Sequence, residues 1–197
     1  MKAKIAVLVS GGGTNLQALI DSQGKELNSG EIVLVVSNNP RAYALERAKK
    51  AGIHTEVVLK NGNQNSFENK LKEVLAEYKI DLIVLAGFMT ILTEKFTSCY
   101  PQRIINVHPS LIPSFCGEGF YGLRVHEAAL NYGVKVTGAT VHFVNEIPDG
   151  GKIIAQKAVE ILNGDTPEIL QRRVMEQAEW ILLPQAAEAV CASIIGG

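Results

Sequence analysis

Along this chain, short runs of Val, Ile and Leu alternate with segments in which apolar residues recur every three or four positions. The runs Ile5–Val9, Glu31–Val36, Thr55–Leu59, Leu82–Leu85 and Ile104–Val107 are of strand length and mostly apolar, which predicts strands covered on both faces. Between them, Asn15–Asp21, Tyr43–Ala51 and Phe67–Tyr78 have helical spacing. Leu16, Leu19 and Ile20 form the apolar stripe of the first, and Phe67, Leu71, Val74 and Leu75 that of the third. Gly52 ends the second as a left-handed cap. Strand and helix repeated in this way predict a parallel sheet with crossover helices on both faces.

After Val107 the pattern changes. Ser110–Gly122 contains Gly117, Gly119 and Gly122 without periodicity, which predicts a mobile, exposed loop. A helix over Val125–Asn131 leads to two strand-like runs, Thr140–Val144 and Lys152–Val159, joined by the turn-rich Asn145–Gly151 with no room for a helix. The expected class is therefore α/β: a Rossmann-like open twisted sheet, mostly parallel, with an antiparallel C-terminal addition. Thr166, Pro167 and Glu168 read as the N-cap, first residue and dipole-facing acid of a helix running to about Val190.

At 197 residues and 47% hydrophobic content, one domain over residues 1–197 can bury its own core. The 19 basic and 20 acidic residues leave a net charge of −1 with no block of like charge, which argues against a nucleic acid or an anionic membrane as partner. Cys99, Cys116 and Cys191 are odd in number and have no metal-ligand spacing, so neither a disulfide framework nor a metal is expected, and a reducing cytoplasm is. No cleavage site follows Met1 and no 18-residue apolar span stands out, so the expectation is a soluble, untargeted protein.

Candidate chemistry concentrates in Ile104–Pro113. On an extended backbone Asn106 and His108 share one face while Ile105 and Val107 take the other. Pro109 cannot donate to a ladder and ends the strand, so both polar side chains sit at its carboxyl end, where open α/β sheets bind ligands. A strand end whose Asn and His satisfy loop backbone has the same sequence. In the first turn, Ser10-Gly11-Gly12-Gly13-Thr14-Asn15, glycine lets backbone approach a ligand and the next helix offers free N–H groups, an anion cradle suited to phosphate. A ligand-free tight turn is the alternative there. The turn is not a P-loop, lacking Gly-Lys-Ser/Thr, nor a dinucleotide fingerprint, because Leu16 replaces the third glycine and no acid follows the second strand at Ser37-Asn38-Asn39. Asp149, beside Gly150 and Gly151, can approach a histidine and raise its pKa, although Asp-Gly is also a common turn dipeptide.

Gly11–Asn15, Ala86–Leu92, Asn106–Pro113 and Gly138–Val144 followed by Asp149-Gly150-Gly151 together resemble the phosphoribosylglycinamide formyltransferases over almost the whole chain. The resemblance implies transfer of a formyl group from 10-formyltetrahydrofolate, as co-substrate, to the amine of glycinamide ribonucleotide in purine synthesis, without a metal. It implies His108 as catalytic acid, Asn106 at the formyl oxygen and in the folate site, and Asp149 raising the pKa of His108. Gly13, Thr14 and Asn15 are implied at the ribonucleotide phosphate and Glu179 at its ribose, with Met89, Thr90, Ile91, Leu92 and Gln64 at the folate. A monomer or homodimer is expected.

Gln64 stands where the family usually has a basic residue, Pro148 replaces an aliphatic residue, and the loop Cys116–Gly122 is longer than in many relatives. Methionyl-tRNA formyltransferase carries a further C-terminal domain and formyltetrahydrofolate deformylase a further N-terminal one, and neither is expected here. The competing readings are a deformylase, a cysteine hydrolase using Cys116 with His108, and a non-catalytic phosphometabolite-binding module.

Overall fold

The computed structural model describes residues Met1–Gly197. Its single sheet has the strand order β3-β2-β1-β4-β5-β6-β7. The strands β1 (Ala3–Val9), β2 (Gly30–Ser37), β3 (His54–Val57), β4 (Leu82–Leu85) and β5 (Ile104–His108) are parallel. The strand β6 (Val136–Phe143) runs antiparallel to β5, and β7 (Ile153–Glu160) antiparallel to β6. The expected mixed sheet is thus the observed one. The chain steps outward from β1 to β2 and β3, then returns to β4 on the other side of β1. That reversal opens a crevice at the carboxyl ends of β1, β4 and β5.

Alternate residues of β1 feed two cores, as a strand covered on both faces must. Ile5, Val7 and Val9 join Leu16 and Leu19 of α1 (Thr14–Ser22) and Leu183 and Ala187 of the C-terminal helix. Ala6 and Leu8 point the other way, against Phe67, Leu71 and Leu75 of α3 (Gln64–Glu77). The remaining helices are α2 (Tyr43–Lys50), α4 (Glu94–Thr97), α5 (Leu123–Tyr132), α6 (Pro167–Val174) and α7 (Trp180–Gly196).

Among the differences from expectation, two boundaries and one unexpected helix have local reasons. The helix α3 begins at Gln64 because the Asn63 side chain accepts from Ser66 N–H, a cap that apolar periodicity does not reveal. The one-turn helix α4 carries no periodic signal and is anchored by the fully buried Phe96. The C-terminal helix is not one regular element ending near Val190. A π-helical turn, Met175–Glu179, separates α6 from α7, which runs on to Gly196. The run Pro167–Gly196 is long and apolar enough to cross a membrane by length and composition, contrary to the expected absence of such a span. Leu183, Ala187 and Cys191 of that run are fully buried in the core.

The loop after β5 is also less free than expected. Ser110 is fully buried, and Thr140 on β6 donates its hydroxyl to the Ser110 carbonyl at 2.7 Å while accepting from Ile112 N–H at 3.1 Å. Gln156 on β7 donates to the same hydroxyl at 2.9 Å. The antiparallel strands thereby pin the loop's first half.

Candidate active site

The register between β5 and β6 sets Asn106 opposite His142 and His108 opposite Thr140. Directly paired residues project to the same face, so four polar side chains form one block on the sheet. The amide of Asn106 lies 3.2 Å from Nε2 of His142. Nδ1 of His142 is 2.8 Å from the Phe143 carbonyl, which can only accept, so in the neutral ring Nε2 accepts from Asn106. One N–H of the Asn106 amide is used in this way, and the other donates to no group of the chain. The turn that follows needs its glycines. A Cβ on Gly151 would fall 1.7 Å from the Phe143 oxygen, and one on Gly150 would fall 2.6 Å from the Ile147 side chain.

Asp149 completes the group from a backbone with φ of 56°, a strained conformation for a residue other than glycine. Its carboxylate lies 3.3 Å from Nδ1 of His108 and 3.5 Å from Nε2 of His142, and accepts from Gly117 N–H at 2.9 Å. Burial pushes this carboxyl up, but the neighbouring His142, the charge of His108 and the Gly117 N–H outweigh it and hold Asp149 below the ordinary carboxylate range.

Asp149 pushes the pKa of His108 upward as expected, but burial outweighs it and the net shift is downward. Burial is the largest influence and lowers it; Asp149 and the Phe115 carbonyl oppose that shift without overturning it. His108 is 4% exposed, and in so dry a place the charged form loses more hydration than one carboxylate at 3.3 Å restores. Its Nε2 lies 2.8 Å from the Phe115 carbonyl, so both ring nitrogens face acceptors.

The glycine turn lies at the carboxyl end of β1. Gly13 is the N-cap of α1 with φ of 74°, and a Cβ there would meet Ala44 at 2.6 Å. Gly11 and Gly12 have open space around them. Thr14 and Asn15 therefore start the helix with free N–H groups. The Asn15 side chain is turned inward, donating to Glu179 Oε2 at 2.7 Å. Glu179, at the end of the π-helical turn, is 6% exposed, and burial pushes its carboxyl up to about 6 although Asn15 acts to lower it.

A cavity of about 670 Å³ opens over the histidines. Asn106, His108, His142 and Asp149 lie in its floor, Met89, Thr90, Ile91 and Leu92 form one wall, and Gly117–Gly122 form another. Gln64 does not line it; its amide donates to Glu68 at 2.7 Å and to the Ile91 carbonyl at 3.0 Å. Cys116 donates to the Pro113 carbonyl, and burial with the Asp149 charge pushes its thiol up, the reverse of what a nucleophile needs.

Three contributors escaped the sequence reading. His142 had a signal, since Thr140 and His142 interrupt an apolar strand at period two. His126 on α5 is fully buried with neither ring nitrogen partnered, and burial and His108 hold its pKa at about 4. Within an amphipathic helix nothing marked it. The Phe115 carbonyl, on a residue with φ of 50°, is backbone and has no residue-type signature.

A family model described as formyl transferase matches residues 3–186. The chain is 43% identical over 176 residues to the phosphoribosylglycinamide formyltransferase of Haemophilus influenzae, covering 88% of this chain and 81% of that protein. The chain belongs to the phosphoribosylglycinamide formyltransferase family. Among solved structures of this formyltransferase family, that from Brucella melitensis superposes with a TM-score of 0.89 at 39% identity, covering 98% of this chain and 97% of the other. The glycinamide ribonucleotide transformylase 1 of Symbiobacterium toebii gives 0.90 at 39% identity, over 98% and 89% of the two chains. The trifunctional purine biosynthetic protein adenosine-3 of Gallus gallus is 45% identical over 196 residues, and the formyltransferase chain spans 19% of its length.

Proposed function

We propose that residues 1–197 form one formyltransferase domain that moves the formyl group of 10-formyltetrahydrofolate to the amine of 5'-phosphoribosylglycinamide, in the cytoplasm. One observation carries this reading: Asn106 and His108 lie in the floor of the cavity, two strands away from a helix N-terminus built as an anion cradle. Neighbouring strands are about 4.8 Å apart, so β1 and β5 are separated by about 10 Å, a span a ribonucleotide bridges from phosphate to terminal amine. Family membership supports the same donor and acceptor.

In this reading the acceptor's phosphate takes the N–H groups of Gly13, Thr14 and Asn15, with Glu179 at its ribose, and the folate lies along Met89–Leu92. The amine attacks the formyl carbon, forming a C–N bond and placing negative charge on the formyl oxygen. The free N–H of Asn106 and a proton on His108 stabilise that oxygen. Collapse breaks the bond to the folate nitrogen, which leaves with the proton the amine gives up, carried by His108 or water. Asp149, charged at neutral pH, faces Nδ1 and favours the imidazolium when the ring takes up that proton. Because Nε2 is engaged by the Phe115 carbonyl, presenting its proton to the formyl oxygen requires the loop at Phe115 to give way.

The test follows folate absorbance with wild type, His108→Ala and Cys116→Ala, using glycinamide ribonucleotide or water alone as acceptor. Turnover should need the ribonucleotide, fall in His108→Ala and survive in Cys116→Ala. Folate release without an acceptor would instead indicate a deformylase, and loss in Cys116→Ala a cysteine hydrolase.

A further inference from the structure

Glu68 lies on α3, behind the cavity wall, and is 2% exposed. Such a carboxylate is costly to bury unless its oxygens are satisfied. Here Oε1 accepts from Thr93 N–H at 2.8 Å and from the Gln64 amide at 2.7 Å, while Oε2 accepts from the Thr93 hydroxyl at 2.6 Å. Burial pushes the Glu68 carboxyl up, yet the Thr93 and Gln64 hydrogen bonds and the Lys72 charge together hold it below its usual value. Thr93 is the N-cap of α4, but its hydroxyl makes no capping bond. Its hydroxyl is directed to Glu68 and not to the helix. The stability of α4 alone does not account for that choice.

What the cluster holds is the wall. Between Gly87 and Thr93 the backbone has no regular secondary structure. Its near half is tied by Met89 N–H to the Ser10 hydroxyl at 2.9 Å and by the Asn38 amide to the Thr90 hydroxyl at 2.8 Å. Its far half is tied by Gln64 to the Ile91 carbonyl and by Glu68 to Thr93. All four residues of the wall line the cavity, but burial alternates along it: Thr90 and Leu92 are buried, whereas Met89 and Ile91 are 58% and 62% exposed. A slip of one position would exchange the two sets.

We propose that Glu68 is a positioning residue for the co-substrate: with Gln64 it fixes the register of Ile91–Thr93, so that Met89 and Ile91 present an apolar surface to the folate. This inference rests on the proposed function. The test compares Glu68→Gln with Glu188→Gln, reading tetrahydrofolate binding by calorimetry together with steady-state kinetics. Glu188 satisfies a similar trio, Asn28 N–H, Ser29 N–H and the Ser29 hydroxyl, each at 2.8 Å, at the amino end of β2 far from the cavity. In Glu68→Gln the Kd for tetrahydrofolate and the KM for the formyl donor should rise about ten-fold, the size of one lost charge-assisted hydrogen bond, with kcat and the ribonucleotide KM within about two-fold of wild type. Glu188→Gln should lower the melting temperature and leave both folate constants unchanged. If Glu68→Gln shifts the folate constants no more than Glu188→Gln does, the positioning role is overturned while the transferase stands. If wild type binds no tetrahydrofolate, the folate reading itself fails and takes this inference with it. Should Glu68→Gln not fold, Thr93→Val removes only the hydroxyl to Glu68 and should still raise both folate constants; unchanged constants there overturn the role equally.

Discussion

The carboxyl edge of this sheet has two halves, and they assemble polar groups by different means. In the parallel half, around β1, the polar groups at the sheet's edge are backbone N–H donors at the start of α1, freed by a left-handed Gly13. In the antiparallel half, around β5 and β6, they are side chains brought face to face by strand register. A helix N-terminus offers donors without titrating, so it can hold a phosphate across a wide pH range. Paired side chains can carry and exchange protons, which suits that side to the chemistry proposed above. Each half also holds a buried group shifted away from its ordinary pKa, Glu179 upward and His126 downward, so acid and base should act on them in opposite senses.

The sharpest way to break the comparison is kinetic. His108→Ala should lower kcat by about 10²–10³-fold with little change in the KM for ribonucleotide, because the proposed mechanism then loses a transition-state donor. A comparable rise in KM would place His108 in binding and erase the distinction.

His126→Leu should bear on stability. The pKa of His126 drops from 6.5 to about 4 on folding, so the unfolded chain binds more protons in that window and wild type loses stability as the pH falls through it. Unfolding titrations should show the variant gaining up to roughly 3 kcal/mol on wild type between pH 7 and pH 4. Parallel curves would remove His126 from the account.

Glu179→Gln tests the other half with the opposite sign. A carboxyl raised from 4.5 to about 6 contributes stability below pH 4.5 that is lost as the pH rises through 6. The variant should therefore gain about 2 kcal/mol on wild type between pH 4 and pH 7, measured in the same way.

Gly13→Ala should have the smallest effect, a strained φ and a contact with Ala44 costing about 1–2 kcal/mol and raising the ribonucleotide KM without touching kcat. A fall in kcat at saturating substrate would show that the cradle takes part in the chemical step.

Much of this architecture was legible in residue order. The placement of Asn106 and His108 on one face at a strand end followed from a period of two and from Pro109. The mixed sheet followed from the absence of a helix between the last two strands, and the first turn was recognisable from its glycines. The reason for Gly13 was not, because it depends on Ala44 of a different helix. The net direction of the His108 shift was not legible, because residue spacing shows a carboxylate within reach but not how dry the site is. Phe115 was missed because it acts through its carbonyl.

The sequence by itself determined what is local: which segments are strand or helix, which side chains share a face, and where caps and turns stop each element, since these follow from backbone geometry over a few residues. Only the tertiary structure decided which distant groups meet. The pairing of Asn106 with His142, the reach of Asp149 to His108, the inward turn of Asn15 to Glu179 and the hold of Glu68 on Thr93 join residues 25 to 164 positions apart in the chain. Such contacts depend on strand register and on how much water packing excludes. Both are properties of the whole sheet with its helices, so no segment contains them.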